Sequence, residues 1–507
     1  MKHFLSFSVL ALVLILFIAF KHSYNGLILY TDATTTNLPL PSVTGPNMDA
    51  ESADLDKDGD LDIILAREFA PNKLLFNNGN GTFFDATIGR LPQFNYDSED
   101  IGIADFDSDN DLDIVFASED NAVHEFYLNN GDGSFRNAND RLPTSIANSV
   151  LAQDVNNDNR PDIVLGNAGQ DFILINNGDT TFTNETSTRL PPSTDVTQDM
   201  KLADIDGDND KDLIAGNEDG NKIYINNGIG IFTDETSIRL PPSSVEETRK
   251  VTLGDIDNDS DLDIFFANVA FRPGRTHQDR LLRNDGYGNF TDVTSTNLPV
   301  DGEHTTEGIF LDIDYDNDLD LITSNIFFNR PMKVFENNGS GVFTEVTSEV
   351  LPADVIAEGI GLKSADFNKD GLMDIYLVNR RSAMQTTQTD RLLLRKDTAT
   401  VGIALNNSEI PAEYTLHQNY PNPFNPITKI SFVLIKNSKI KLTIFNSYGK
   451  EITTLINNEL PKGSHSLNWN ANGFASGIYY YRLEIENENF ILTKKWFWLD
   501  RLLCSRI

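Results

Sequence analysis

Apolar residues come in short runs, some alternating with polar ones and some continuous, through most of the chain. The runs are rich in Ile, Leu, Val and Phe and are bounded by Asp, Asn, Gly and Pro. That pattern predicts β-strands joined by tight turns, with no long helical periodicity between them. A repeat organises the runs. An Asp-rich segment, DLDKDGDLDIILA in its first copy, recurs seven times, starting at Asp54, Asp105, Asp154, Asp204, Asp255, Asp312 and Asp366, at intervals of 49 to 57 residues. A second segment follows each of the first six copies, as LLFNNGNGTFFDAT, FYLNNGDGSFRNA, ILINNGDTTFTNET, IYINNGIGIFTDET, LLRNDGYGNFTDVT and VFENNGSGVFTEVT. Its Asn-Asn-Gly or Asn-Asp-Gly step marks a hairpin, because Asn and Gly tolerate positive φ.

Each unit therefore holds four strands: before the Asp loop, after it, before the Asn-Gly turn and after that turn. Four-stranded units at this period are propeller blades. The expected fold is all-β: a seven-bladed β-propeller of four-stranded blades over residues 27–400, followed by a small Ig-like β-sandwich. The seventh unit reaches LLLRKD near Arg395 but lacks its closing strand. The missing strand stands at the other end, in the run Leu27 to Thr34, with Leu38-Pro39 after it. This segment is expected to complete the last blade and latch the ring, leaving no open sheet edge. An open solenoid is the alternative.

The seven Asp segments carry the candidate chemistry. With the first Asp as position 1, the positions offering oxygen are 1, 3, 5, 7 and 9. They are Asp54, Asp56, Asp58, Asp60 and Asp62 in the first loop, and Asp105, Asp107, Asp109, Asp111 and Asp113 in the second. The third has Asp154, Asn156, Asp158, Arg160 and Asp162, and the fourth Asp204, Asp206, Asp208, Asp210 and Asp212. The fifth has Asp255, Asp257, Asp259, Asp261 and Asp263, and the sixth Asp312, Asp314, Asp316, Asp318 and Asp320. The seventh has Asp366, Asn368, Asp370, Leu372 and Asp374. Hard oxygen donors without His or Cys select calcium. Arg160 and Leu372 cannot ligate through their side chains, so position 7 is expected to contribute its backbone carbonyl. Position 6 is Gly, Asn or Ser throughout, as a sharp turn requires. The loops are not EF-hands, since position 12 never holds Glu and no helices flank them. The third and seventh loops carry three carboxylates each and are expected to bind more weakly.

Charge sharpens this picture. The 507 residues include 76 acidic and 40 basic ones, a formal net charge of −36. That excess argues against nucleic-acid binding, which needs a basic footprint, and against docking on anionic lipid. It suits multivalent cations; up to seven calcium ions would bring the charge to −22. The single cysteine, Cys504, allows no intramolecular disulfide. Metal is therefore the expected staple of an exported chain. Export is suggested by Lys2, the apolar run Phe4 to Phe20 and Lys21, which fit a signal peptide over residues 1–22. An uncleaved anchor is the alternative reading. No other run is long enough to span a bilayer, so no transmembrane domain is expected in the mature chain.

The region from Leu27 to about Arg395 resembles the FG-GAP and VCBS repeat propellers, the family that includes the integrin α-subunit head. The resemblance implies that the loops bind calcium as structural staples, with Asp54, Asp56, Asp58, Asp62 and their counterparts as ligands. All seven units carry a loop, whereas integrin heads usually fill only some.

After about Val401 the Asp loops stop. Residues 401–412 read as a linker, and QNYPNPFNP from Gln418 is a stiff, turn-rich segment. Alternating strands follow: ISFVL, IKLTIFNSYGKEITTL, GSHSLNWN, GIYYYRLE and NFILTKKWF. YPNPFNP, IFNSYGKEI, HSLNWN and GFASGIYYYRLE resemble the type A C-terminal sorting domain of the type IX secretion system. That resemblance implies that residues 413–500 address the chain to the secretion machinery. It also implies a product at the outer-membrane surface or outside the cell of a Bacteroidetes-like bacterium. Family members usually end soon after the last strand; here the chain continues past Trp496, Phe497 and Trp498 through a tail, 501–507.

No H-E-x-x-H, G-x-S-x-G, P-loop or G-x-G-x-x-G segment is present. A non-catalytic adhesion module with an unknown glycan or protein ligand is the first reading. A polysaccharide-degrading enzyme using the propeller face and a structural surface-matrix protein are the alternatives. If the Asp loops and Asn-Gly turns share one rim, ligand contact falls to the opposite face. There the insertion FRPGRTHQDR offers Arg272, Arg275, His277 and Arg280 as a candidate cationic patch for an acidic glycan or carboxylate. Glu303, His304 and Glu307 are expected near the channel mouth.

Overall fold

The computed structural model describes residues 28–396 and 414–498, apart from 121, 244–245, 301, 328–330, 354, 356–358, 381–388, 418, 420–426, 447–449, 461, 471–476 and 486–489. The expected signal segment 1–22, the linker 401–412 and the tail 501–507 with Cys504 lie outside the described residues. So does all of YPNPFNP, residues 420–426. The chain divides into two compact units, residues 1–401 and 402–507.

In the first unit, the described residues form seven four-stranded antiparallel sheets. Each inner strand has seven residues: Asn47–Ala53, Ser98–Ala104, Ala147–Gln153, Thr197–Ala203, Thr248–Gly254, Thr305–Leu311 and Gly359–Ala365. Inner strands lie beside one another in chain order, and the last lies against the first. This cyclic order is that of a β-propeller. The second strand of every sheet, Asp62–Arg67 in the first, is buried at all six positions. That is why these runs read as continuously apolar rather than alternating.

A hydrophobic cluster fills each seam between neighbouring sheets. Between the first and second sheets it holds Ile64, Leu74, Phe76, Ile101, Ile114 and Phe116. Between the seventh and first it holds Ala50, Ile63, Leu65, Phe367, Tyr376 and Val378, with Phe83 edge-on to Phe367 at 5.6 Å. The expected latch is present: Tyr30–Asp32 pairs antiparallel with Arg391–Arg395, placing Tyr30 opposite Arg395. The last sheet is thus built from both ends of the unit.

Every inner strand carries a register shift around its second residue, between Asn47 and Asp49 in the first sheet and at the matching place in the other six. Such bulges re-aim side chains. At the far end of the second strand, one side chain closes the turn in six sheets. Asn72, His124, Asp171, Asn221, Asp279 and Asp390 each accept the backbone N–H that ends the strand, at 2.8–3.1 Å.

His124 gives this turn a pH dependence. Its Nδ1 accepts from the Ser118 N–H at 3.1 Å, so the ring is held neutral, and burial pushes its pKa down to about 4. The folded value lies below the unfolded one, so stability is full above pH 6.5 and is lost as pH falls toward 4. The expected cost at pH 4 is on the order of 3 kcal/mol. His124→Asn copies the residue that serves at Asn72 and Asn221. In thermal scans its stability relative to the parent should be flat above pH 7 and move in its favour below pH 6. A constant difference across that range would refute the assignment to His124.

The second unit has a three-stranded sheet, Thr415–Leu416, Ile427–Leu434 and Gly463–Asn470, and a four-stranded sheet in the order Glu451–Leu460, Ser438–Asn446, Gly477–Ile485 and Phe490–Trp498. Both sheets feed one core containing Leu416, Ile430, Phe432, Ile440, Leu442, Trp469 and Tyr481. Trp496, Phe497 and Trp498 belong to the last strand, paired with Tyr479, Ile478 and Gly477.

Candidate cation loops and channel mouth

The Asp loops follow directly on the inner strands, and the seven share one backbone. Positions 4 and 6 are left-handed in each, for example Lys57 at φ 64° and Gly59 at φ 87°. The N–H of position 6 donates to the position 1 carboxylate in every loop, at 2.7–3.1 Å. The N–H of position 7 donates to position 5 at 2.8–3.1 Å. These bonds draw the carboxylates of positions 1 and 5 inward.

Position 9 does more than its expected role as a ligand. Asp62 Oδ2 accepts from the Leu55 N–H at 3.1 Å, and Oδ1 from the Asn77 N–H at 3.0 Å. The same pair of bonds recurs in the other six sheets, so this side chain ties the loop to the Asn-Gly turn. Burial pushes Asp62, Asp113, Asp212, Asp263 and Asp374 up to about 7, Asp162 to about 6 and Asp320 to about 8.

The turn asparagine also reaches across the seam. Asn77 Nδ2 donates to the Phe367 carbonyl of the seventh sheet at 2.8 Å, and five other sheets repeat the bond to the neighbour's position 2 carbonyl. In the seventh sheet Arg395 stands in its place. The turn glycine has a second constraint beyond its φ of 79°: a Cβ on Gly79 would sit 2.5 Å from Asp60 Oδ2.

The donor set fits a hard dication. Oxygens of Asp54, Asp56 and Asp58 lie within 4.8 Å of one another, as do those of Asp105, Asp107 and Asp113, of Asp204, Asp206 and Asp212, and of Asp255, Asp257 and Asp259. Oδ1 of Asp54, Asp107, Asp206 and Asp257 and Oδ2 of Asp314 are buried and accept no hydrogen bond. Such atoms are costly unless a cation meets them. The third loop differs. Arg160 folds back so that Nη2 lies 2.5 Å from Asp158 Oδ2 and Nε donates to the Asn176 carbonyl at 2.9 Å, which places a cation of the chain itself in the loop.

The channel mouth lies at the other end of the inner strands, about 20 Å away for a seven-residue strand. A cavity of about 310 Å³ is lined there by the second residue of all seven inner strands: Met48, Glu99, Asn148, Gln198, Arg249, Thr306 and Ile360. Glu68, Glu119, Glu218, Ile326 and Arg380 form a further tier. Oxygens of Asp97, Glu99 and Glu119 approach within 4.8 Å of one another. Burial pushes all three carboxyls up, and neighbouring carboxylates, Glu68 and Asp120 among them, add to it. Below the cavity the third residues Asp100, Asp199, Lys250 and Glu307 line the channel, with Asp49 beside Lys250. Lys250 Nζ stands 2.9 Å from Asp100, 3.8 Å from Asp199 and 3.9 Å from Asp49. Although burial works against its charge, these carboxylates hold its ammonium well above the usual lysine range.

The expected cationic patch is corrected by this geometry. Arg272 and Arg275 both pair with Asp219, and Arg272 also lies 3.6 Å from Glu247. Arg280 is buried between Glu246 at 2.7 Å and Asp292 at 2.8 Å. Their charge is consumed within an acidic surround. His277 packs 5.4 Å from His304, in an aromatic group with Phe271 and Phe327. Glu303 pairs with Lys333 at 3.3 Å, and Glu307 lies inside the channel, accepting the Leu362 N–H at 2.6 Å.

Comparison with known proteins matches the FG-GAP-like repeat family at residues 54–116, 105–164, 154–215 and 204–266. The secretion system C-terminal sorting domain matches residues 418–497. Cartilage acidic protein 1 of Mus musculus is 33% identical over 112 residues, which is 21% of this chain and 17% of that protein. Among solved structures, a lectin of Agrocybe aegerita described as recognising non-reducing terminal N-acetylglucosamine aligns with 66% of this chain and 85% of its own, at 19% identity and TM-score 0.39. The type IX secretion component PorZ of Porphyromonas gingivalis aligns with 87% of this chain and 58% of its own, at 13% identity and TM-score 0.41. A type IX sorting tail marks a secreted or cell-surface protein of Bacteroidetes. Among the described residues no helix is long and apolar enough to cross a membrane.

Proposed function

We propose that this chain, which carries FG-GAP-like repeats and a type IX sorting domain, is a calcium-stapled seven-bladed propeller. Each four-stranded sheet is one blade, and the second unit is an Ig-like sandwich that addresses the chain to the secretion machinery. At the surface the propeller acts as a non-catalytic binding or adhesion module, taking a glycan or protein at the channel mouth.

One contrast carries this reading. Position 9 of the loop is Asp in all seven copies, while the bulged residue at the mouth is Met, Glu, Asn, Gln, Arg, Thr and Ile in turn. A copied scaffold with a diversified ring concentrates recognition chemistry at the ring, as loops on a rigid frame do elsewhere. The ring is also two-sided. Glu99 and Glu119 stand on the second blade, and Met48, Ile326 and Ile360 form an apolar wall.

Glycan and surface-protein arrays probed with the calcium-loaded chain test the reading. Glu99→Gln with Glu119→Gln should weaken a detected ligand about ten-fold or more, as loss of charged hydrogen-bond partners does, without altering calcium stabilisation. Binding that ignores these changes would place recognition elsewhere.

A second reading has a specific observation behind it. Three converging carboxylates beside Arg249 and Arg380 resemble an acid–base set for polysaccharide cleavage. Release of reducing ends by the parent, abolished by Glu99→Gln, would favour the enzyme.

A further inference from the structure

The seams between neighbouring loops carry a second set of contacts, from position 4 of one loop to position 7 of the next. Lys57 Nζ pairs with Asp111 of the second sheet, and Lys369 Nζ with Asp60 of the first. Asn258 Nδ2 donates to Asp318 Oδ1 at 2.7 Å. Asn157 Nδ2 lies 3.5 Å from Asp210 Oδ1 and donates to the Gly228 carbonyl at 3.1 Å. The sequence varies in step with these contacts. Where position 7 is Arg160 or Leu372, the preceding position 4 is Ser108 or Tyr315, and neither is an amide or ammonium donor. Asp261 alone follows a residue without a side chain, Gly207.

Each contact runs from a non-ligand position of one loop to a ligand-bearing position of the next. Position 4 sits between the carboxylates of positions 3 and 5 and is left-handed in all seven loops, at φ 59° to 81°. That conformation is uncommon for lysine, and in the first loop the N–H groups that follow it, of Asp58 and Gly59, donate to Asp56 and Asp54. Position 7 is the residue whose carbonyl would complete the next site. Its side chain is wedged under the turn glycine, 2.5 Å from a Cβ built on Gly79 or Gly339 and 2.7 Å from one on Gly131. Ordering one loop therefore pins a ligand-bearing residue of the next.

We propose that calcium occupancy is passed between loops through these seam pairs. The seventh, first and second loops fill as one coupled group through Lys369 and Lys57. The fifth and sixth loops are paired through Asn258, whereas Asn157 joins the fourth loop to a third loop in which Arg160 already faces Asp158. The fourth and fifth lack this seam pair and are joined instead by Asn284 and by Arg239, which lies 3.0 Å from Asp206 and donates to the Tyr287 carbonyl at 2.6 Å. The proposal rests on the calcium reading. Coupling of this kind is reciprocal: whatever loop 1 does for loop 2, loop 2 does for loop 1.

Calcium titration calorimetry on the full chain tests it, with Lys57→Met and Lys369→Met combined. Neither lysine is a ligand, so the number of bound ions should be unchanged. The affinity of the coupled group should fall about five-fold and the isotherm should become less steep. Lys57→Arg with Lys369→Arg should restore both, which separates lost coupling from misfolding. Lys73→Met cuts the outer-strand pair with Asp85 at 2.9 Å and controls for lost surface charge. An isotherm that superposes on the parent, or one flattened equally by Lys73→Met, overturns the coupling. A parent chain that binds no calcium overturns the calcium reading itself.

Discussion

Chelating calcium from the full chain is expected to lower its melting temperature by about 20 °C. At about 2 mM calcium and a dissociation constant near 0.1 mM, each filled loop contributes about 1.8 kcal/mol, so six contribute about 11 kcal/mol. A unit of this size shifts by about 2 °C for each kcal/mol. The physical source is the set of inward carboxylate oxygens, Asp54 Oδ1 and Asp107 Oδ1 among them, which are buried without a donor. Chelation returns them to mutual repulsion at the ends of the inner strands. Equilibrium dialysis beside the thermal scans should find five or more ions, and the loop left empty should be the third, where Arg160 already faces Asp158. A shift below about 3 °C would mean that the stabilisation lies in the seam clusters alone. Ions bound without any shift would detach calcium from the fold.

The repeat made the fold readable because one physical unit was written seven times. The Asp loop, the Asn-Gly turn and the stray strand at Tyr30 each had a local signature, and the structure places all three as their signatures imply. What stayed hidden was anything that depends on two units meeting. Asn77 read as a turn former because Asn before Gly already suffices for a hairpin; its bond to the Phe367 carbonyl joins residues 290 apart. The channel residues were hidden for another reason. Strict alternation would send residues 2 and 3 of an inner strand to opposite faces, but the bulge re-aims them, so Glu99 and Asp100 both serve the channel. The cationic patch misled because Arg272, Arg275 and Arg280 are neighbours along the chain, whereas Asp219 and Glu246 come from the preceding segment. A local cluster of one sign says nothing about what the fold sets opposite it.

Asp263→Asn and Asp259→Asn should differ sharply in chelator and draw closer together in calcium. Both positions read alike in sequence, as ligands of the fifth loop. In the structure Asp263 is fully buried and accepts two backbone N–H groups, from Ile256 at 3.1 Å and Asn284 at 2.8 Å. An amide leaves one of those donors facing an NH₂ group. The expected cost is about 2–4 kcal/mol, with or without calcium, since bonds to a charged acceptor are worth about 1.5–3 kcal/mol each. Asp259 accepts only the Asp261 N–H at 3.1 Å and is exposed. Its charge raises Asp257 toward protonation, after burial the next cause of that shift. Removing it in chelator at pH 8 should therefore leave stability unchanged or slightly raised. In calcium the same substitution forfeits one filled loop, about 2 kcal/mol. Urea unfolding of the two variants in chelator and in calcium reads all four values. If Asp259→Asn cost as much in chelator as in calcium, position 5 would be a structural residue and the loop a solvated turn. If Asp263→Asn were silent in chelator, the loop-to-turn tie through position 9 would carry no weight, and the seven Asp residues at that position would be there for the ion alone.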